Sequence, residues 1–214
     1  MIVIPVYQGV DVLDVTGPFE MFRWANLEVQ LVAEVPGLIT CNGGIVLEAA
    51  TSFANAAQAE VLWTPGGHPK DLVRLMGAEG QAYRDFLVRQ SREARYVASV
   101  CEGALLLAAA GLLDGFTVTT HWAFVKALLT RFPNVKVADG HPRFWLDGNR
   151  LTGGGISSGL DEALELIRML QGEGVARRVQ QVTQYYPEPP VSSAIPNSLD
   201  DPLAPFEAGA VQIP

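Results

Sequence analysis

The 214-residue sequence has few cysteines, few histidines and few basic side chains. Its 2 cysteines are too few for a disulfide framework or a four-cysteine zinc site. The 15 basic residues against 23 acidic ones give a net charge of -8, which argues against nucleic acid or an anionic membrane as a partner. No apolar run approaches the roughly 18 residues of a membrane span, and the N-terminus does not resemble a signal peptide. We therefore expect a cytoplasmic protein.

Apolar residues are what the sequence has in abundance. They make up 49% of the chain, which is enough for one domain with a sizeable core. Short apolar runs at residues 2–7, 29–33, 61–64 and 96–100 alternate with helical patterns of about ten residues. Buried strands that alternate with helices predict an α/β sandwich with a mostly parallel sheet.

Two other stretches bear on the organisation of the chain. Residues 38–40 and 45–48, joined through Asn-Gly-Gly at 42–44, predict a small β-hairpin. Near the C-terminus the composition shifts to Pro, Ser and Asp. We predict an α/β domain over residues 1–186 and a Pro-rich tail over residues 187–214, packed on the domain or on a dimer partner.

Three of the predicted strands end in unusual residues. The first leads into residues 9–18, which we interpret as an acidic loop before a helix. The strand at 61–64 ends in Pro-Gly-Gly-His, and the strand at 96–100 ends in Cys-Glu-Gly. Sites in doubly wound sheets form beyond the carboxyl ends of the strands, so these segments hold the candidate site residues.

Cys101 is the strongest candidate for a catalytic residue among them. A thiol at a strand-to-helix turn faces the positive end of the helix dipole, which favours a thiolate nucleophile. Gly103 permits the tight turn of a nucleophile elbow. The competing interpretation is a buried cysteine that packs as a small hydrophobic residue. We favour that second interpretation for Cys41, which lies in the predicted hairpin.

The other candidates each have a structural alternative. Asp14 could transfer protons to and from a substrate bound to sulfur, or could be an ordinary turn or capping residue. Gly66 and Gly67 offer backbone N–H groups for a developing negative charge, or form a plain turn. His121 could act as a base or could cap a helix. The three histidines have no short metal-ligand spacing, so we expect no metal site.

The order of several short motifs resembles that of a known family. The motifs are Asp-x-Thr-Gly-Pro at 14–18, Pro-Gly-Gly at 65–67, Ser-Val-Cys-x-Gly at 99–103, Thr-Thr-His-Trp at 119–122 and Leu-Thr-Gly-Gly-Gly-Ile at 151–156. Together they resemble the ThiJ/PfpI superfamily over nearly the full chain, and within it the isonitrile (isocyanide) hydratases most. Sensor domains of some transcription regulators share the same motifs.

The resemblance implies a flavodoxin-like three-layer sandwich that forms a homodimer and needs no metal or organic cofactor. It also implies hydration of isonitriles to N-substituted formamides. Cys101 would attack the isonitrile carbon to form a thioimidate, and Asp14 would be the general acid/base. Gly66, Gly67 and the N–H of Glu102 would stabilise the anion.

The resemblance further implies a pocket for a small neutral organic substrate, and we expect Thr16, His121 and Ile156 to line it. Two departures from the hydratase pattern stand out. Glu102 replaces a threonine; it would raise the thiol pKa if it pointed inward, or would be an ordinary first-turn acid if it pointed outward. Residues 191–194, Val-Ser-Ser-Ala, replace a Phe-Asn-containing segment, so the pocket or the dimer contacts differ.

Two alternative functions remain open at this point. One is a cofactor-free glyoxalase or hydrolase that uses Cys101 with His121. The other is a non-catalytic domain that senses a small molecule or is regulated by oxidation of Cys101. Which group lies beside the Cys101 sulfur distinguishes them: Asp14 favours the hydratase, His121 the glyoxalase, and neither the sensor.

Overall fold

The structure is a computed structural model that describes residues 1–207. Its strands are β1 (Ile2–Pro5), β2 (Val29–Ala33), β3 (Gly37–Thr40), β4 (Val46–Ala49), β5 (Thr51–Ser52), β6 (Val61–Thr64), β7 (Tyr96–Ser99), β8 (Thr117–Val118), β9 (Lys136–Val137), β10 (Phe144–Asp147) and β11 (Arg150–Gly153). Its α-helices are α1 (Val12–Trp24), α2 (Pro69–Met76), α3 (Gln81–Ser91), α4 (Gly103–Ala109), α5 (Val125–Arg131), α6 (Ser158–Gln171) and α7 (Glu173–Val182).

Within residues 1–207, a central sheet of seven strands runs in the order β10-β11-β7-β6-β1-β2-β5. Every neighbouring pair is parallel except β10 and β11, which are antiparallel. β1 and β6 are buried along their whole length, since helices cover both faces of the sheet. β7, β6 and β1 lie side by side, so their carboxyl ends share one edge.

The helices form one layer on each face of this sheet. α1, α6 and α7 pack together on one face, while α2, α3, α4 and α5 pack on the other. β3 and β4 form a separate antiparallel hairpin. The predicted α/β three-layer sandwich with a mostly parallel sheet and a small hairpin is therefore confirmed. In the part of the chain that the structure describes, no helix is long and apolar enough to cross a membrane.

The predicted acidic loop at residues 9–18 is wrong, because helix α1 already begins at Val12 and contains Pro18. Proline has no N–H, so the Asp14 carbonyl oxygen four residues earlier loses its helical partner. The indole N–H of Trp63 on β6 donates to that oxygen instead, at 3.1 Å. A residue of the sheet thus replaces the missing helix hydrogen bond, and the helix can start before its proline.

Other differences from the predicted elements are smaller. The pattern after residue 121 begins with a 3₁₀ turn at Trp122–Phe124 and becomes α-helical only in α5. α2 and α7 are short helices that the sequence patterns do not predict. α7 is separated from α6 by Gly172 alone, whose positive φ of 88° reverses the chain.

Residues 187–206, which we call the strap, run along the outside of the sandwich and end in a 3₁₀ turn at Ala204–Phe206. Leu203 of the strap is fully buried against the domain. Arg131 of α5 forms an ion pair with Asp201 at 2.7 Å. The last seven residues of the predicted tail, 208–214, lie outside the described residues.

Candidate active site

The turn between β7 and α4 holds Cys101 in a strained conformation. Cys101 has a φ of +58°, in the left-handed region that few residues other than glycine adopt. Its N–H donates to the Gly154 carbonyl oxygen at 2.9 Å. A Cβ at position 103 would overlap the Thr64 carbonyl oxygen, so only glycine fits there. These features give the turn the geometry of a nucleophile elbow.

The thiol lies within a cluster of acidic side chains. One sulfur or oxygen atom from each of Asp11, Asp14, Cys101 and Glu102 lies within 4.8 Å of all the others. Asp11 and Asp14 come from the start of α1, and Glu102 follows the cysteine in the elbow. Asp14 is fully buried and Glu102 is 5% exposed. The side chain of Glu102 therefore points inward, towards the thiol.

Gly66 makes room for this cluster and orients it. A Cβ at this position would lie 2.5 Å from Glu102 Oε2 and 3.0 Å from Asp14 Oδ2. Its N–H donates to Asp14 Oδ2 at 2.9 Å. The Gly66 N–H is thus bound to a carboxylate in this structure, and its role as an anion-stabilising donor stays a prediction.

Burial dominates the ionisation of both inward-facing acids. It raises the pKa of Asp14 well above its usual range, and the charges of Glu102 and Asp11 raise it further. The Gly66 N–H and the Cys101 thiol oppose this rise by hydrogen bonding. Burial likewise raises the pKa of Glu102 to about 7, against hydrogen bonds from the thiol and from the N–H groups of Glu102 and Gly67. The site therefore holds acidic protons near neutral pH.

Burial and the neighbouring charges oppose the preformed thiolate that the elbow position predicts. Burial raises the pKa of Cys101 well above its usual value, and the neighbouring charges of Glu102 and Asp14 raise it further. The backbone N–H of Ile156 lowers it, but by less. Of the two orientations that the sequence left open for Glu102, the structure has the inward one, which is the one expected to raise the thiol pKa. These effects favour the protonated thiol, so attack calls for a nearby carboxylate that accepts its proton.

A cavity of about 310 Å³ opens beside the elbow. Cys101 is fully buried and does not itself line this cavity. Several lining residues contact it directly: the Thr120 hydroxyl donates to the Cys101 carbonyl oxygen at 2.8 Å, and Gly154 accepts the Cys101 N–H. Ile156, another lining residue, has a φ of 36° and directs its N–H at the thiol. Residues that line the cavity thus contact both the backbone and the thiol of Cys101.

The remaining predicted pocket residues differ in where they lie. His121 and Ile156 line the cavity. His121 accepts the Ala123 N–H at Nδ1, at 3.2 Å, and is not part of the acidic cluster. Burial lowers the pKa of its imidazole. Thr16 is not among the lining residues; its hydroxyl donates to the Val12 carbonyl oxygen within α1, at 2.8 Å.

Two residues of the cluster and the cavity are not among the predicted site residues, although the sequence raises Asp11 beside Asp14 as an acidic candidate. Asp11 completes the acidic cluster and accepts a hydrogen bond from the Asn42 amide at 2.9 Å. Asp11 lies three residues before Asp14, and this spacing could have indicated that the two carboxylates face the same way at the start of α1. Ile195 of the strap lines the cavity, and no local pattern points to it. The cluster's sulfur and carboxylate oxygens could also hold a divalent cation, so the expectation of no metal site, which rested on histidine spacing, stays a prediction.

Fold and elbow together define an α/β three-layer protein with a strained cysteine at the turn after a central strand. The chain belongs to the DJ-1/PfpI family, whose family model matches residues 1–169.

The relatives include both an enzyme and transcriptional regulators. The chain is 38% identical to an isonitrile hydratase of Pseudomonas putida over 194 residues, 90% of this chain and 82% of that protein. It is 27% identical to the transcriptional regulator GbdR of Pseudomonas aeruginosa, over 78% of this chain but 42% of the regulator. Among solved structures, a ThiJ/PfpI family protein of Pseudomonas syringae matches with a TM-score of 0.81 and 32% identity, over 89% of this chain and 76% of that one.

Proposed function

We propose that the protein hydrates isonitriles to N-substituted formamides, with Cys101 as the nucleophile and Asp14 as the general acid/base. The observation that carries the proposal is the acidic cluster, which puts the thiol within 4.8 Å of the Asp14 carboxylate. The likeness to an isonitrile hydratase at 38% identity supports the same chemistry. The proposal also includes the cytoplasmic location and the homodimer expected from the sequence.

The first half-reaction joins the thiol to the substrate. An isonitrile carbon accepts a proton and then becomes electrophilic, so acid and nucleophile must act at one atom. Asp14 in its protonated form donates to the carbon, and the Cys101 sulfur forms a bond to it. The proton lost by the thiol returns to the Asp14 carboxylate. The product is a thioimidate, and the raised pKa of Asp14 keeps the required proton on the enzyme near neutral pH.

The second half-reaction consumes water. Asp14, protonated at the end of the first half, gives its proton to the thioimidate nitrogen. The resulting carboxylate takes a proton from water as the water oxygen bonds to the thioimidate carbon. The carbon–sulfur bond then breaks, the sulfur gains the proton that the new hydroxyl group loses, and a formamide leaves. One isonitrile and one water give one formamide. Glu102, with a pKa of about 7, is placed to exchange protons with the thiol in both halves.

A direct experiment tests the proposal. Purified protein is mixed with n-butyl isonitrile, and N-butylformamide is quantified by mass spectrometry together with loss of the isonitrile. We expect multiple turnovers without added metal or organic cofactor. Absence of any formamide above the uncatalysed rate, from protein shown by circular dichroism to be folded, would overturn the proposal.

The regulators among the relatives favour one second candidate, a small-molecule sensing domain. That candidate predicts tight binding of a ligand without conversion. The glyoxalase or hydrolase alternative is supported less well, because His121 uses Nδ1 to accept the Ala123 N–H and lies outside the acidic cluster. Assaying methylglyoxal loss alongside isonitrile loss separates all of these functions.

A further inference from the structure

The strap contributes a wall to the candidate active-site cavity. Ile195 lines that cavity together with residues of the domain that include His121 and Ile156. The polar lining residues all come from the domain, and they include His121, His141 and Arg143. Ile195 is the part that the strap supplies, and it is apolar and half exposed, at 53%. A side chain with so much free surface at a cavity mouth is available for contact with a ligand.

Hydrogen bonds tie the strap to the turn that forms another wall of the same cavity. Ser198, three residues after Ile195, accepts the Lys126 backbone N–H at 3.0 Å and lies 3.2 Å from the Ala123 carbonyl oxygen, to which its hydroxyl donates. Ala123 is also the residue whose N–H binds His121. The positions of Ile195 and His121 are thus linked through one short segment.

Burial and charge hold the rest of the strap. Leu203 is fully buried, and Phe206 packs edge-on against His68 with ring centroids 5.4 Å apart. Arg131 forms ion pairs with Asp201 and with Glu207 just beyond the strap, at 2.7 and 2.6 Å. An apolar anchor with partly buried ion pairs fixes a segment better than exposed pairs alone. The strap is therefore anchored to the domain from Ser198 onwards, three residues after Ile195.

We propose that the strap selects substrates by the size of the isonitrile's R group, with Ile195 as the specificity-determining residue. The inference rests on the proposed function for its substrate. A cavity of about 310 Å³ is at the small end of ligand pockets, so it admits a small apolar R group and Ile195 limits a larger one. Ile195 directly follows residues 191–194 of the strap, where this sequence departs from the hydratase pattern, which places substrate selection beside that departure.

Steady-state kinetics with methyl isonitrile and benzyl isonitrile test the inference. Ile195→Ala should raise the ratio of kcat/KM for benzyl over methyl isonitrile by about tenfold, mostly through KM, because removing three carbons enlarges the cavity. Val191→Ala is the matched control: Val191 belongs to the same strap but is 78% exposed and does not line the cavity. An unchanged ratio in Ile195→Ala, or an equal change in Val191→Ala, would overturn the inference.

A second measurement keeps the inference separate from the proposed function. Iodoacetamide and the bulkier N-benzyliodoacetamide alkylate a thiolate as sulfur displaces iodide, and mass spectrometry of the peptide that contains Cys101 gives each rate. Ile195→Ala should speed modification by the bulky reagent about tenfold relative to the small one. If wild-type protein converts no isonitrile but this ratio moves, the proposed function fails and the strap's role stands. If neither ratio moves while formamide forms, the strap inference alone fails.

Arg131→Gln tests the anchoring of the strap. It removes the ion pairs with Asp201 and Glu207 while leaving every cavity-lining side chain in place. We expect the ratio of kcat/KM for benzyl over methyl isonitrile to rise, as in Ile195→Ala, but by less. The change in KM should be larger than the change in kcat. Lys126→Gln, which removes only the exposed pair with Asp200, should move the ratio less. A larger shift in Lys126→Gln than in Arg131→Gln would contradict this anchoring.

Discussion

The two cysteines have similar burial but lie in very different surroundings. Cys41 follows β3, is 3% exposed and donates its N–H to the Ile45 carbonyl oxygen at 2.7 Å. Cys101 is fully buried on a turn with positive φ. Burial raises the pKa of both thiols, and in both the charge of an acidic neighbour adds to it.

What separates them is the number and origin of the groups around each sulfur. Asp11 is the charge that raises the pKa of Cys41. Around Cys101, the start of α1 and the elbow bring three carboxylates together. Low exposure and a raised pKa therefore do not identify a reactive cysteine. The arrangement of proton donors and acceptors around the sulfur carries that information, and the predictions below test it.

The largest expected effect comes from removing each thiol in turn. Cys101→Ala should lower isonitrile turnover by at least about 10³-fold, because no other group on the elbow can form the thioimidate. Cys41→Ala should keep turnover within about twofold of wild type. Both are measured as the rate of formamide release. Comparable losses in the two variants would remove the distinction between the cysteines.

Asp14→Asn should lower kcat by about 10²- to 10⁴-fold, since it removes the proposed acid but keeps an oxygen that can accept the Gly66 N–H. Asp85→Asn, on α3 and hydrogen-bonded to Gln81, is the control and should leave kcat unchanged. The measurement is kcat as a function of pH for n-butyl isonitrile. A wild-type pH profile in Asp14→Asn would show that the acid lies elsewhere in the cluster.

Glycines beside the two cysteines should differ in their effect on stability. Gly103→Ala puts a Cβ onto the Thr64 carbonyl oxygen, so we expect a loss of about 3 kcal/mol or more in the free energy of unfolding. In Gly43→Ala the new Cβ meets no atom within 4 Å, so only the φ of +90° is unfavourable for alanine. We expect that to lower the free energy of unfolding by about 1 kcal/mol. Urea unfolding measures both. A Gly43→Ala loss as large as that of Gly103→Ala would refute the steric explanation.

Glu102 should make stability depend on pH. Its pKa of about 7 in the folded protein exceeds the unfolded value of 4.5, so the folded state holds a proton that the unfolded chain releases between these values. The free energy of unfolding therefore falls as pH rises through this window, by about 3 kcal/mol from this group. Urea unfolding at several pH values should show a shallower fall in Glu102→Gln. An equally steep fall in that variant would assign the effect to other buried acids.

The smallest expected effect concerns the thiol pKa itself. Glu102→Gln removes the neighbouring charge that raises the pKa of Cys101 most, so the pH midpoint of its alkylation by iodoacetamide should drop by about one unit. The midpoint for Cys41, followed in the same samples through its own peptide, should stay where it is. A rise in the Cys101 midpoint would mean that Glu102 stabilises the thiolate.

Much of the architecture could be predicted from local patterns. Buried parallel strands produce continuous apolar runs, which is why β1, β6 and β7 were predicted within one or two residues. α1 was placed too late because Pro18 suggests a helix start, and only the position of Trp63 in space explains why the helix continues through it. α2 was missed because eight residues give a short periodic pattern.

The candidate site was predictable in its residues but not in its electrostatics. The elbow motif singles out Cys101, and the acidic residues after β1 single out Asp14. The direction of the Glu102 side chain depends on the space that Gly66 leaves, which is a contact between two different strand ends. Ile195 reaches the cavity across a long separation in sequence, and no local spacing encodes such a contact.

The hydrogen bond between Trp63 and the Asp14 carbonyl oxygen offers an optical reporter of the candidate active site. Trp63 is fully buried, whereas Trp24 and Trp145 are 50% and 40% exposed and Trp122 is half-buried, so we expect Trp63 to emit at the short-wavelength edge of the spectrum. A change of charge on the Asp14 side chain alters the electric field at an indole bonded to the same residue. The fluorescence of the native protein can therefore follow the titration of a buried acid without any added label.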